Sequence, residues 1–255
     1  MDTKMIATPS ERMVCRAAEE LRDQDVVFVG IGLPNVACNL ARATHAPNLF
    51  MIYESGTVGT IPARLPVSIG DPALVTDSLS ICTVADIFQN YLQRGNISIG
   101  FLSGAQIDPY GNLNSTVIGD YKNPKVRLPG SGGACEIAVH SKNILIVMKM
   151  SPKTFVEKCD FITSPGLRVD GKTRKQLGCP GGGPSKVITD YGVLSFDAND
   201  RMYVTEIYEG VEAAQMQAAC GFKLDFAPNI RTIAAPQNKQ IDLLRNTLDP
   251  QKLYL

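Results

Sequence analysis

The sequence predicts an α/β fold, an open and mostly parallel sheet with helices on both faces, organised as one domain over residues 1–255. Three observations carry this expectation. Short apolar runs alternate with helix-like amphipathic stretches, the spacing that builds parallel sheets with right-handed crossovers. The first run, Val26-Val27-Phe28-Val29, ends in Gly30-Ile31-Gly32 and leads directly into a helical stretch. The second, Leu49 to Tyr53, is apolar at five consecutive positions, as suits a strand buried on both faces, and stops at Glu54-Ser55-Gly56. Glu54 thereby falls at the carboxyl end of a strand, the edge where open α/β sheets bind ligands.

Taken in order, Thr8-Pro9-Ser10-Glu11 is a capping box with proline in the first helical turn. Met13, Val14, Ala17, Ala18 and Leu21 follow as an apolar stripe, with Glu11, Arg12, Glu19, Glu20 and Arg22 mostly around it. After Val26–Val29 and the glycine turn through Asn35, the stretch 36–44 reads as a second helix. Asn35 stands where a dinucleotide fingerprint needs its third glycine, so Gly30 and Gly32 read as a tight βα turn in a pocket wall. Residues 57–71 are rich in Gly and Pro and read as an irregular active-site loop. Thr83 opens a helix lined by Val84, Ile87, Phe88 and Tyr91 and ended by Gly95, and the sheet resumes at 97–102. Residues 143–148 read as a buried strand and 187–196 as two strands around Asp190-Tyr191-Gly192. Lys172, Arg174 and Lys175 read as a solvated turn, with a mobile loop near phosphates as the alternative. Residues 209–220 and 237–248 read as closing helices.

Composition narrows the function classes. The chain is 44% hydrophobic and 20% charged, enough for one large α/β domain or two small ones. Twenty-five Lys and Arg balance twenty-five Asp and Glu, so no basic field is present to collect nucleic acid or anionic lipid. Seven cysteines without a C-x-x-C pair, together with only two histidines, point away from a disulfide framework and a zinc site. Reduced thiols, no signal-like N-terminus and no apolar run of membrane length give the expectation of a cytoplasmic protein whose fold starts almost at once. Cys135 and Cys179 have no evident activating partner and read as small hydrophobes.

The stretch 103–116 contains Gly104-Ala105-Gln106-Ile107-Asp108-Pro109-Tyr110-Gly111-Asn112-Leu113-Asn114-Ser115-Thr116, and Gly130-Ser131-Gly132-Gly133-Ala134 follows. Such density of Gly, Asn and small polar groups suits either surface loops or backbone amides lining a site. With the Glu54-Ser55-Gly56 turn, these motifs closely resemble the B subunits of class I CoA-transferases, most nearly that of glutaconate CoA-transferase. The likeness continues through Thr163-Ser164-Pro165-Gly166, Val187-Ile188-Thr189-Asp190-Tyr191-Gly192 and Gly221-Phe222, nearly the whole chain.

The resemblance implies a CoA-transferase-like fold, with Glu54 as covalent nucleophile and Gly132, Gly133 and Ala134 as the oxyanion and CoA-binding segment, the Gly133 N–H foremost. It also implies a separate A subunit as partner, coenzyme A as substrate with no tightly bound cofactor and no metal, and short dicarboxylic acids such as glutaconate as acceptors. Relatives with other activities lack the glutamate, among them decarboxylases with cysteine there and ring-cleaving hydrolases of steroid breakdown. The chemistry favours the same residue, because the carrier must be a carboxylate that can itself become a thioester. A carboxylate with a reference pKa of about 4.3 is ionised at neutral pH and needs no histidine base. The alternatives are a thioester hydrolase or decarboxylase on the same scaffold, and a non-catalytic partner subunit. Arg64 and Lys122 are the cations nearest the proposed loops, and both read first as solvated side chains.

Overall fold

The computed structural model describes residues 5–255, which form two compact units, one running to Phe101 and resuming at Ala234–Leu255, the other spanning Leu102–Ile233. Among the described residues no helix is long and apolar enough to cross a membrane.

In the first unit, α1 (Pro9–Ala18) begins at the capping box: Thr8 Oγ1 accepts from the Glu11 N–H, and the Glu11 carboxylate accepts from the Thr8 N–H. Glu11 is buried rather than on the wet face of the helix, because Arg245 donates to its carboxylate at 2.8 Å. Burial works to raise the Glu11 pKa, and the Arg245 and Thr8 hydrogen bonds outweigh it, leaving the pKa lowered. Next come β1 (Val26–Val29), α2 (Leu33–Thr44), β2 (Phe50–Tyr53), β3 (Thr57–Val58), β4 (Ser80–Ile81) and β5 (Ile99–Leu102). β1 pairs in parallel with β2 and with β5, and β3 and β4 extend the β2 side as antiparallel strands. β1 and β2 are buried from their second residue onward, so the apolar runs are core strands.

Local structure departs from the sequence expectation at four points. α2 begins at Leu33 rather than Val36, since Pro34 in the first turn removes only an N–H that has no intrahelical partner there. The stretch after Gly56 is not wholly irregular, because β3 pairs back on β2. The helix opened by the Thr83–Asp86 capping box winds as α3 (Val84–Asp86) and then as a π-helix, Ile87–Leu92. Ile87 and Leu92 are buried and Val84 is exposed, so the expected 3.6-residue stripe is broken. The C-terminal stretch likewise divides into an α-helix, Asn238–Leu243, and a π-helical turn, Leu244–Leu248.

In the second unit, three two-stranded ribbons pair β6 (Gln106–Ile107) with β7 (Leu113–Asn114), β8 (Val117–Gly119) with β9 (Pro124–Arg127), and β11 (Arg168–Val169) with β12 (Lys172–Thr173). The larger sheet runs through β10 (Asn143–Val147), β13 (Pro184–Ile188), β14 (Gly192–Phe196), β15 (Met202–Tyr208) and β16 (Asp225–Ile233). The outer pairs β10–β13 and β15–β16 are parallel and the two inner pairs antiparallel, so this sheet is mixed. Thr189 closes the expected β13–β14 hairpin, its Oγ1 donating to the Gly192 carbonyl and accepting from the Tyr191 and Gly192 amides. Helix α4 (Ala134–His140) follows the glycine motif, and α5 (Ala213–Ala218) is half the length expected from residues 209–220. The sequence pattern does not reveal β15 and β16. β16 contains Pro228 and Asn229, lies mostly exposed, and jumps register from Phe226 to Arg231 opposite β15, which erases the two-residue period.

Candidate active site

In the first unit, Glu54 follows the last residue of β2 and is half-buried at the carboxyl edge of the parallel strands. Val29 of β1 is in register with Tyr53, which places Gly30 and Glu54 one step beyond paired residues at that edge. A tight turn holds the acid, with the Gly56 N–H donating to the Tyr53 carbonyl at 3.0 Å and the Cys82 N–H donating to the Gly56 carbonyl at 2.8 Å. Gly56 has φ +115°, and a Cβ there would lie 2.0 Å from the Cys82 carbonyl oxygen. Only glycine fits this turn as it stands.

The turn and the start of α2 carry polar groups with spare hydrogen-bonding capacity. Asn35 is fully buried, and its Oδ1 accepts from the Tyr53 hydroxyl at 3.1 Å and from Asn39 Nδ2 at 2.6 Å. Asn35 Nδ2, Ser55 Oγ and Thr57 Oγ1 are buried atoms without a hydrogen-bond partner. The sequence places Asn35 in a glycine turn, whereas it is a helical residue fixed to the tyrosine that precedes Glu54. The signal available in sequence was Pro34, which marks a helical first turn.

In the second unit, Gly130 and Gly132 adopt φ +97° and +48°, turning the chain into α4. Ser115 clamps this turn from both sides: its carbonyl accepts from the Gly130 N–H at 2.9 Å and its Oγ donates to the Gly130 carbonyl at 2.8 Å. Thr163 accepts from the Ser115 N–H at 2.9 Å and shares a 2.7 Å hydroxyl contact with Thr116. The Ala134 N–H donates to the Ser131 carbonyl. Among the described residues, no acceptor takes the N–H of Gly132, which is exposed, or of Gly133, which is buried.

The long motif before this turn is scaffold. Asn112 and Asn114 are buried, and Asn112 donates to Asp108 and to the Arg168 carbonyl while accepting from the Gly166 N–H at 2.7 Å. Asn114 donates to Gln106 and to the Val117 carbonyl and accepts from the amides of Thr116 and Val117. Burial raises the Asp108 pKa against the hydrogen bonds from Asn112 and Tyr110. These side chains satisfy one another and do not present donors to a ligand.

Of the cations singled out in sequence, Arg64 and Lys122 are exposed as expected and Arg174 is not. Arg64 forms a two-pronged pair with Asp71 at 2.7 and 2.8 Å, so it is a structural partner of the 61–75 segment. Arg174, expected in a solvated turn, is buried, while Lys172 and Lys175 beside it are exposed as expected. Lys122 is exposed in a turn closed by Asp120. All seven cysteines are free, and Cys135 and Cys179 are half-buried. Burial, helped by Glu136, raises the Cys135 pKa, which argues against a thiolate there. Among the described residues no group of three or more His, Cys, Asp or Glu is arranged to hold a metal ion.

The family model for coenzyme A transferase matches residues 10–219. The B subunit of the 3-oxoadipate CoA-transferase from Pseudomonas knackmussii is 46% identical over 237 residues, covering 92% of this chain and 91% of that one. The B subunit of the glutaconate CoA-transferase from Acidaminococcus fermentans is 38% identical over 255 residues, covering 97% and 95%. The crystal structure of that organism's glutaconate coenzyme A-transferase superposes with a TM-score of 0.91 at 36% identity, covering 99% of this chain and 98% of the other. The expected nearness to the glutaconate enzyme is thus shared with, and in sequence exceeded by, the 3-oxoadipate enzyme. The expected CoA-transferase-like α/β fold is the one observed, and the chain belongs to the coenzyme A transferase family, in company with its B subunits.

Proposed function

We propose that this chain is the nucleophile-bearing B subunit of a heteromeric CoA-transferase that moves CoA between an acyl-CoA and a short dicarboxylic acid. The observation that carries the proposal is Glu54 itself: a half-buried carboxylate at the carboxyl edge of β2, in a turn that tolerates only glycine at Gly56. Glu54 attacks the thioester carbonyl and expels CoA thiolate, giving an acyl-glutamyl anhydride. The thiolate then attacks the glutamyl carbonyl, forming a glutamyl-CoA thioester and releasing the first acid. The second acid reverses both steps. Neither half involves a change of oxidation state, so the carboxylate and the CoA thiol supply all the chemistry.

Negative charge develops on the thioester oxygen during attack, and a preorganised amide donor there is worth about 3 kcal/mol. The Gly132 and Gly133 amides are the donors assigned to this role, supported by their lack of internal acceptors. Ala134 remains the adjoining CoA-binding position, since its own N–H is engaged. The dicarboxylate class is supported by the names of the two relatives, 3-oxoadipate and glutaconate, both of which are diacids.

Both relatives are named as B subunits, which supports an A-type partner. Ile61, Val67, Ile69, Val75, Leu79 and Ile81, exposed apolar side chains on the segment that leaves the Glu54 turn, are the surface we assign to it. Seven free thiols support a reducing, cytoplasmic setting. The test is co-expression with an A-type chain followed by isotope exchange between acyl-CoA and free acids, with 3-oxoadipate, glutaconate, acetate and butyrate in competition. Exchange confined to the mixed complex and favouring diacids is expected. Hydrolysis or decarboxylation without exchange would establish the alternative chemistries, and a preference for monocarboxylates would overturn the substrate class.

A further inference from the structure

Arg174 is a cation buried without a carboxylate partner among the described residues. Its guanidinium is held by carbonyls from three separate segments. Nη2 donates to Ala138 at 2.8 Å and Val139 at 3.1 Å, Nη1 to Gly166 at 3.0 Å and, at 3.4 Å, to Pro165, and Nε to Gly181 at 2.9 Å. Burial lowers its pKa, the cost of taking a cation out of water. The Gly181-Gly182-Gly183 run is the cradle for this group: a Cβ at Gly183 would stand 2.8 Å from Arg174 Cδ, and one at Gly181 would stand 2.3 Å from the Ser141 carbonyl oxygen.

These acceptors belong to segments that connect to the glycine turn. Ala138 and Val139 are in the last turn of α4, whose first residues follow Gly132 and Gly133; carbonyls there have no partner within the helix and carry partial negative charge, which Arg174 and, at Val139, the Gly181 N–H offset. Gly166 belongs to the same short segment as Thr163, which fixes Ser115 and through it Gly130. A planar guanidinium with five donors in a fixed fork makes all five of these bonds, whereas a lysine ammonium has only three donors.

We propose that Arg174 is a positioning residue for acyl transfer, clamping the far end of α4 and the Gly166 segment so that the Gly132 and Gly133 amides keep the geometry the oxyanion requires. This rests on the role given to those amides above. The test uses the assembled wild-type complex and its Arg174→Lys and Arg174→Gln variants, with kcat, KM for both substrates, thermal midpoint and the single-turnover rate of Glu54 thioester formation. Loss of alignment by under an ångström costs on the order of 10- to 100-fold at a donor of this kind. Arg174→Gln is expected to lose that much in kcat and in thioester formation alike, with both KM values within about threefold, and Arg174→Lys to recover part of the loss. Should the Gln variant fail to assemble, the Lys variant decides, with about a tenfold loss in kcat expected. Wild-type kcat per folded complex in either variant would overturn the assignment, as would a loss matching only the unfolded fraction. A wild-type complex that transfers no CoA would defeat the functional reading instead.

Discussion

Replacing Gly56 with alanine probes how tightly the fold fixes Glu54. The new Cβ would lie 2.0 Å from the Cys82 carbonyl oxygen and 3.1 Å from its carbon, both main-chain atoms that no rotamer change can move. Since carbon and oxygen keep about 3 Å apart at the least, the turn or its neighbour must shift by about 1 Å. A φ of +115° adds strain of about 2 kcal/mol for a residue with a side chain. Loss of the 2.8 Å bond from the Cys82 N–H to the Gly56 carbonyl adds about 1 kcal/mol. Gly56→Ala should therefore lower stability by about 3 kcal/mol and, with the carboxylate displaced by about 1 Å, cut transfer on the order of a hundredfold. Gly95→Ala is the control, because it shares a left-handed φ of +72° but has open space around the added carbon. That variant should lose about 1 kcal/mol and keep its activity. Urea denaturation and initial rates measure both. A Gly56→Ala protein as stable as Gly95→Ala and within twofold of wild-type rate would refute the argument.

Asn112→Ala strips three hydrogen bonds from a buried network and leaves Asp108, the Arg168 carbonyl and the Gly166 amide without their partner. A loss of about 3 to 5 kcal/mol in urea denaturation is expected, and one below about 1 kcal/mol would contradict a scaffold role. Asp71 is held below the ordinary carboxylate range by Arg64 and by the Val67 and Ala73 amides. Its contribution is therefore present above the unfolded pKa of about 3.9 and is lost as pH falls through the folded value. Asp71→Asn should be less stable than wild type at pH 7, with the gap closing as pH falls from about 4 to 2; a gap independent of pH would contradict this linkage.

What could be read from sequence was what is local. The Thr8–Glu11 and Thr83–Asp86 capping boxes, the apolar β1 and β2 and the Glu54-Ser55-Gly56 turn each carry their signal in adjacent residues, whatever distant partners they later acquire. What escaped depends on distant partners. Glu11 is buried because Arg245 reaches it from 234 positions away. Arg174 resembles a surface cation until the carbonyls of Ala138, Gly166 and Gly181 close around it. Asn112 and Asn114 resemble site-lining polar groups and instead saturate one another's neighbourhood. The exposed β16, interrupted by Pro228 and a register jump, has no period to read. The Leu33 start of α2 was legible from Pro34 and shows that proline can open a helix as readily as end a strand.

The proposed function turns on covalent attachment of CoA to Glu54. Incubating the assembled enzyme with acyl-CoA in the absence of acceptor acid should halt turnover at the glutamyl-CoA thioester. Borohydride then reduces that thioester to an alcohol, and mass spectrometry of the peptides locates it. The modification is expected on the Glu54 peptide and is expected to vanish in Glu54→Ala along with transfer, with a loss on the order of a hundredfold in Glu54→Asp, whose carboxylate is withdrawn by about 1 Å. Full transfer by Glu54→Ala, or label found only on a cysteine peptide, would contradict it.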